Sequence, residues 1–325
     1  MERQIVGIGE ALWDMLPAGK QLGGAPANFA YHVKQLGLPA QVVSAVGDDE
    51  LGHEILSVFA AKHISSLVQK VSAPTGTVQV TLDEAGVPSY KIKTGVAWDN
   101  IPFSAEIEEL ASQTQAVCFG SLAQRNETSR ITINRFLDAM PEEDDILKIF
   151  DINLRQQFYS KEILNESLCK CNILKINDEE LDEVKKIFGL QVDMAECASN
   201  FKGDISAVQA ATSHLQQGIS LADPTSVAQE HICRKLLTDY QLQLVILTCG
   251  EQGSFVFSPD ETSYFETPKV LVADTVGAGD AFTAAFVAGF LQGKSIRQAH
   301  QLAVEVSAYV CTQHGAMPEL PASFV

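Results

Sequence analysis

The sequence predicts an α/β protein built on a mostly parallel sheet, with a smaller β-sheet beside it. Two observations carry that expectation. First, six apolar runs of strand length occur at residues 5–9, 41–45, 116–120, 147–152, 173–176 and 244–248, with helical patterns between several of them, at 28–36, 52–61 and 129–139. Strands apolar on both faces belong to a parallel sheet covered by helices on both sides. Second, segments 11–22 and 75–99 alternate polar and apolar residues instead. The latter runs through Thr77-Val78-Gln79-Val80-Thr81-Leu82, a turn at Glu84-Ala85-Gly86 and a return through Tyr90-Lys91-Ile92-Lys93. Half-buried hairpins read this way, and together they suggest a small lid sheet. The expected organisation is one domain over 1–325, with lid strands from about 11–22 and 75–99.

Composition narrows the function classes. The 325 residues are 46% hydrophobic and 20% charged, enough apolar material for a large core. A net charge of -18 argues against nucleic-acid binding, which rests on Lys and Arg meeting phosphates. The seven cysteines form no metal-ligand spacing; several sit in apolar runs, and the odd count fits a reducing compartment. The start Met-Glu-Arg-Gln does not read as a secretory leader, and the longest apolar stretch, 281–291, is too short to span a bilayer. A soluble, cytoplasmic protein is expected. Segment 191–229 is long and polar, a helical insertion or mobile surface.

Taken in chain order, each element ends or begins on a distinctive motif. The first strand leads into Gly9-Glu10-Ala11-Leu12-Trp13-Asp14, which puts the Asp14 carboxylate beyond a strand end, where ligands of parallel sheets bind. Gly23-Gly24-Ala25-Pro26-Ala27-Asn28 opens the first long helix, with a proline where a helix tolerates one. Gly47-Asp48-Asp49, followed by Gly52, comes after the second strand. Asp151-Ile152-Asn153-Leu154-Arg155 closes another. Asn177-Asp178-Glu179-Glu180 begins a helix, and by itself reads as a capping box. Thr248-Cys249-Gly250-Glu251-Gln252-Gly253 ends the next strand, by itself a simple turn.

The most informative run is Asp274-Thr275-Val276-Gly277-Ala278-Gly279-Asp280-Ala281-Phe282, which follows a strand-like Val270-Leu271-Val272 and opens a long apolar helix. Gly277, Ala278 and Gly279 offer successive backbone N–H groups with little side-chain bulk, at a helix end that attracts anions. An Asp placed there for capping alone would compete with an incoming phosphate, so Asp280 is expected to act in chemistry. Two near-misses are set aside. Gly289-Phe290-Leu291-Gln292-Gly293-Lys294-Ser295 imitates a phosphate-binding loop but is one residue short and follows a helix instead of preceding one; Gly293 reads as a helix C-cap. Gly7-x-Gly9 lacks the third glycine of a dinucleotide fingerprint, since position 12 is Leu12.

In this order the motifs resemble those of the ribokinase-like (PfkB) carbohydrate kinases, from Gly9 to Pro321. The run 274–282 is similar to that family's C-terminal signature, and 23–28 with 47–52 to its N-terminal one. The resemblance implies a ribokinase-like three-layer sandwich that transfers the γ-phosphoryl group of ATP to a sugar hydroxyl. It assigns Asp280 as the catalytic base and the N–H groups of Gly277, Ala278 and Gly279 as an anion hole. It assigns Asp14, Gly24, Asn28 and Arg155, with Asp280, to the sugar. A carboxylate suits a polyol because it accepts two hydroxyl hydrogen bonds at once; for Arg155 a surface salt bridge is the alternative. Asn177, Thr248, Gly250 and Gly253 fall to the nucleotide, together with Gly277 and Gly279. Glu180 falls to Mg2+, through water. Asp274 and the carbonyls of Val276 and Gly315 match a monovalent-cation site, with K+ the expected ion.

Gly-Gly-Ala-Pro-Ala-Asn, Gly95-Val96-Ala97-Trp98-Asp99 and 151–155 resemble the bacterial fructokinase branch, which implies D-fructose as acceptor. Lys91 and Lys93 stand where ketodeoxygluconate kinases place an arginine. Ribose, 2-keto-3-deoxygluconate and nucleosides remain open as acceptors, as does a non-catalytic sugar-binding regulator. The expected partners are the sugar and ATP, with no nucleic acid and no membrane, and a homodimer formed through the lid.

Overall fold

A computed structural model of the chain describes residues 3–16, 19–82, 88–190 and 224–324. Nine strands form the main sheet: β1 (Gln4–Ile8), β4 (Ala40–Gly47), β5 (Ser65–Val71), β8 (Thr114–Phe119), β9 (Leu147–Asp151), β10 (Ile173–Asn177), β11 (Leu244–Thr248), β12 (Ser254–Phe257) and β13 (Thr262–Phe265). Their spatial order is β13-β12-β11-β10-β9-β8-β1-β4-β5. Every pair is parallel except β11–β12 and β12–β13. The second sheet runs β3 (Gly19–Gly23), β2 (Leu12–Leu16), β6 (Gly76–Leu82), β7 (Pro88–Ile92).

Alternate residues of the main sheet feed two separate cores. Val6, Ile8, Val117, Phe119, Leu174 and Ile176 pack on one face with α3 (Ala105–Ser112), α4 (Glu127–Ala139), α5 (Lys161–Lys170), α6 (Asp178–Phe188) and α7 (Pro224–Asp239). Ile5, Val42, Ala116, Ile149 and Ile173 pack on the other with α1 (Ala25–Gln35), α2 (Glu50–Ala61), α8 (Ala278–Leu291) and α9 (Ile296–Cys311). The period-two side-chain alternation of a strand makes this three-layer arrangement possible from one apolar run. Helix α8 is buried from Ala281 to Gly289, as an all-apolar helix must be.

All six strands and three helices read from the sequence are present, and both alternating segments pair into the small sheet. Three strands escaped that reading. β5 and β13 are the two edges of the sheet and are largely exposed or half-buried, while β12, inside β13, is only four residues long, too short to stand out as an apolar run. Edge strands bury one face at most, so the apolar run that marks a central strand is missing. One expectation is corrected: Val270-Leu271-Val272 forms no strand. It is exposed, Leu271 to 92%, because its apolar composition finds no neighbouring strand to pair with. The turn expected at 84–86, and most of segment 191–229, lie outside the described residues; 224–239 is helical. Among the described residues, no helix is long and apolar enough to cross a membrane.

Candidate active site

The chain changes direction across the sheet at β1, which pairs with β4 on one side and β8 on the other. Clefts beyond the carboxyl ends of strands at such a switch point bind ligands. The residues following β1, β9, β10 and β11 all project to this end, and the N-terminus of α8 meets them there.

Gly277 caps α8 in the left-handed region, with φ 76°. A Cβ at this position would lie 2.7 Å from the Cα of Ala316, so only glycine lets the turn pack on the chain segment beneath it. Ala316 is fixed in turn by buried His32 on α1, whose Nε2 lies 2.9 Å from its carbonyl. Burial pushes His32 down to about 4, so the ring is neutral at pH 7 and donates to that carbonyl. The turn thereby presents the first-turn N–H groups of α8, which have no partner four residues back, toward the strand ends.

Asp280 is the acidic residue of this first turn, and Asn28, 3% exposed on α1, donates from Nδ2 to its Oδ2 at 2.7 Å. Two widely separated motifs thus meet in a single hydrogen bond. Burial raises the Asp280 carboxyl to about 7, the Asp151 carboxylate adds to that push, and Asn28, Lys175 and Arg155 restrain it. Below the turn lies a charge network the sequence reading did not assign to the site. Lys175 Nζ, buried on β10, pairs with Asp151 Oδ1 at 3.2 Å. The Thr283 hydroxyl donates to Asp151 Oδ2 at 3.2 Å. A Cβ built on Gly279 would come 3.3 Å from Lys175 Nζ, placing the ammonium directly under the turn. Burial works to lower the Lys175 pKa, but Asp151, Glu180 and Asp280 together more than offset it and keep the amine charged. The available signal was a lone lysine inside the apolar run Ile173-Leu174-Lys175-Ile176.

On the opposite side, Asp14 stands on β2 across from Gln21 of β3. A Cβ on Gly23 would sit 2.4 Å from Asp14 Oδ2, so the glycine makes room for the carboxylate. Burial raises Asp14 to about 6, opposed by the charge of Arg155. Gly24 allows close approach, but the group that approaches is the Glu10 carbonyl, 2.3 Å from where a Cβ would be. Glu10 is a further residue the sequence reading passed over. It is 3% exposed, burial raises its carboxyl pKa, and its Oε2 has no partner. Arg155 lies exposed beyond β9 and donates to the Leu154 carbonyl at 3.0 Å.

Toward the other edge, Asn177 and Thr248 are paired in register at the ends of β10 and β11. Asn177 and Glu180 form a reciprocal capping box: Asn177 Oδ1 accepts the Glu180 N–H, and Glu180 Oε2 accepts the Asn177 N–H. Glu180 Oε1 accepts the N–H of Leu154 at 2.9 Å, binding the helix to the loop that carries Arg155. The 3-10 turn Gly250–Gln252 is tied to the β13 side by the Thr267 hydroxyl, which donates to the Gly250 carbonyl. Gly253 packs with its Cβ position 2.4 Å from the Phe265 carbonyl. Thr248, Gly250 and Gly253 therefore lie two strands from Asp151, along the same edge of the sheet but apart from Asp280.

Among the described residues, no group of three or more metal-ligating side chains converges. Glu180 has each oxygen already accepting one backbone N–H, which leaves lone pairs suited to a hydrated ion. A lone carboxylate of this kind is chemically compatible with Mg2+, a hard cation that keeps much of its water. Asp274 Oδ1 accepts the Val276 N–H at 3.0 Å and Oδ2 the Gly315 N–H at 3.1 Å, so the three residues expected around a monovalent cation are brought together by the carboxylate.

Comparison with known proteins gives this geometry a family. The chain is 28% identical over 334 residues to an ATP-dependent 6-phosphofructokinase of Thermoanaerobacterium thermosaccharolyticum, covering 98% of this chain and 90% of that protein. It is 26% identical to a fructokinase of Klebsiella pneumoniae over 340 residues, covering 99% and 97%. Its fold superposes on the crystal structure of an ATP-bound fructokinase from Xylella fastidiosa with a TM-score of 0.75 at 21% identity, covering 99% of this chain and 96% of that one. The pfkB family carbohydrate kinase model matches residues 18–323. A ribokinase-like fold, with the site motifs gathered at one end of its sheet, is what that match predicts, and the chain belongs to the pfkB family of carbohydrate kinases.

Proposed function

We propose that this kinase transfers the γ-phosphoryl group of ATP to a primary hydroxyl of D-fructose, giving fructose 6-phosphate and ADP. The observation that carries the reading is the 2.7 Å contact of Asn28 with Asp280 at the N-terminus of α8. It puts a carboxylate with a pKa of about 7 at the mouth of an anion-attracting helix end. In this reading Asp280 accepts the proton of the attacking hydroxyl as the new O–P bond forms and the bond to the ADP oxygen breaks. A carboxylate of that pKa is largely ionised at pH 7.5 and basic enough to take the proton.

The first-turn N–H groups at Gly277, Ala278 and Gly279 stabilise the charge spread over the transferring phosphoryl oxygens. Lys175, fixed beneath them by Asp151, adds a buried positive charge to the same site. Glu180 would hold Mg2+ through water beside the nucleotide, where the ion would supply positive charge to the phosphates. Asp14 accepts sugar hydroxyls across the cleft from Asp280, and Arg155 holds an oxygen of the acceptor or of the phosphate. Asn177, Thr248, Gly250 and Gly253 position the nucleotide, and K+ at Asp274, Val276 and Gly315 supports the turn.

Support for fructose comes from the Gly-Gly-Ala-Pro-Ala-Asn motif and from the Klebsiella pneumoniae relative. The 6-phosphofructokinase relative favours a second reading in which the acceptor is already phosphorylated. ADP release from Mg-ATP, measured with fructose, fructose 6-phosphate, ribose, ketodeoxygluconate, tagatose and adenosine, separates them. Fastest turnover with fructose supports the proposal. Preference for fructose 6-phosphate, or for any other acceptor, replaces it.

A further inference from the structure

Outside the groups already given a role, the most deeply buried ion pair of the described residues lies at the root of the lid. Arg125 ends the 3-10 turn Leu122–Arg125 after β8, and Asp99 lies in the turn Ala97–Asn100 after β7. The guanidinium is bidentate, Nε to Oδ1 at 2.7 Å and Nη2 to Oδ2 at 2.9 Å, with the side chains 6% and 2% exposed. Asp99 Oδ2 also accepts the N–H groups of Gly95 and Val96, and Arg125 Nη2 donates to the carbonyl of Lys93. The pair therefore grips the chain just where it leaves lid strand β7.

The same guanidinium is sandwiched between two rings, 4.0 Å from the centroid of Trp98 and 4.5 Å from that of Phe158. Trp98 packs against the first residue of lid strand β6, since a Cβ on Gly76 would lie 2.3 Å from its Nε1. Phe158 belongs to the loop after β9 and donates its N–H to the Arg155 carbonyl at 3.1 Å. One side chain thus touches the exit of edge strand β7, the Trp98 ring that packs on the start of β6, and the loop that presents Arg155. Its Nη1 is buried without a partner. Leaving a charged donor unsatisfied is costly, and apolar residues would fill such a space with equal or greater stability, so the pair is better explained by geometry than by stability.

We infer that Arg125 is a positioning residue that fixes the acceptor side of the cleft, by holding the exit of lid strand β7 to the Arg155 loop. The inference rests on the carbohydrate-kinase activity of the family and not on which sugar is the acceptor. A lid strand and an acceptor-side loop clamped together keep the two walls of the acceptor pocket at one spacing, while the segment after β11, four strands from β1, makes no hydrogen bond or ion pair with Arg125 or Asp99.

The test uses the full-length chain with Arg125→Lys and Asp99→Asn. Lysine keeps the charge and stem but loses the bidentate, stacked geometry. The expected result is an acceptor KM raised about tenfold, with the ATP KM and kcat within about twofold. Hydrogen exchange should rise together in 88–96 and 153–159 and stay unchanged in 254–265. An acceptor KM within about twofold of the parent overturns the inference. So does a parallel rise of both KM values with faster exchange throughout, which marks a merely structural pair. A wrong choice of fructose shows in the unsubstituted protein, and the comparison is then made with the acceptor it does use. Should the parent use none of them, the exchange pattern alone decides: coupled changes support the clamp, and uncoupled ones refute it.

Discussion

The two ends of the proposed site, phosphoryl and acceptor, are built on opposite principles. At the phosphoryl end, Asp280, Asn28, Asp151, Lys175, Thr283 and Glu180 are linked by direct hydrogen bonds and buried charge. At the acceptor end, Asp14 and Arg155 act on each other through space, and among the described residues no ion pair joins them. Stabilising charge that develops during phosphoryl transfer requires dipoles already in place, because reorienting them at the moment of reaction costs free energy. Recognising a polyol requires hydrogen-bonding capacity kept open until the ligand fills it. The difference teaches that one end is finished by folding and the other is finished by binding.

The largest test of that contrast is Asp280→Asn. Turnover is expected to fall about a thousandfold, with the acceptor KM moving less than about threefold, both read from steady-state ADP release. Survival of turnover would break the assignment of the base and with it the pre-organised end. Gly277→Ala comes next. A Cβ there meets Ala316 in a left-handed turn, and losing anion-hole alignment should lower kcat about a hundredfold. Gly279→Ala should be milder, since this position is not in the left-handed region and its new Cβ would meet a single atom, Lys175 Nζ at 3.3 Å.

The acceptor end should answer differently. Asp14→Asn is expected to raise the acceptor KM at least about tenfold while leaving the ATP KM unchanged, as loss of a charged hydrogen-bond acceptor would. An equal effect on kcat and on both KM values would erase the distinction between the two ends. The pH dependence sharpens it further. With Asp280 at about 7 and Asp14 at about 6, kcat/KM should climb as both carboxyls ionise and level off above 7, and Asp280→Asn should remove the inflection near 7 while leaving the one near 6.

The smallest effect is on stability. The Asp280 carboxyl titrates near 7 in the folded chain against 3.8 when unperturbed, so the native state binds its proton more tightly. That contribution is present below about pH 3.8 and is lost as pH rises through 7. Asp280→Asn should therefore raise Tm by about 2 °C at pH 8, with the gain vanishing toward pH 4 in thermal unfolding. A gain independent of pH would point to packing instead of charge.

By itself the sequence determined the α/β class, the six central strands and the second sheet, because apolar runs and alternation are local patterns that report burial on two faces or one. It also marked the glycine turn before Asp280, since a left-handed cap and a close approach each demand a residue without a Cβ. It misjudged Val270-Leu271-Val272, whose β-like composition has no strand beside it, and missed the edge strands β5 and β13 and the four-residue β12, which pair with neighbours without a long apolar run. Only the tertiary structure decided that Asn28 meets Asp280 across more than two hundred residues, that Lys175 and Asp151 lie beneath the glycine turn, and that Arg125 pairs with Asp99 at the exit of β7. Such pairings depend on which strand ends the topology makes neighbours, and no local window of sequence carries that information.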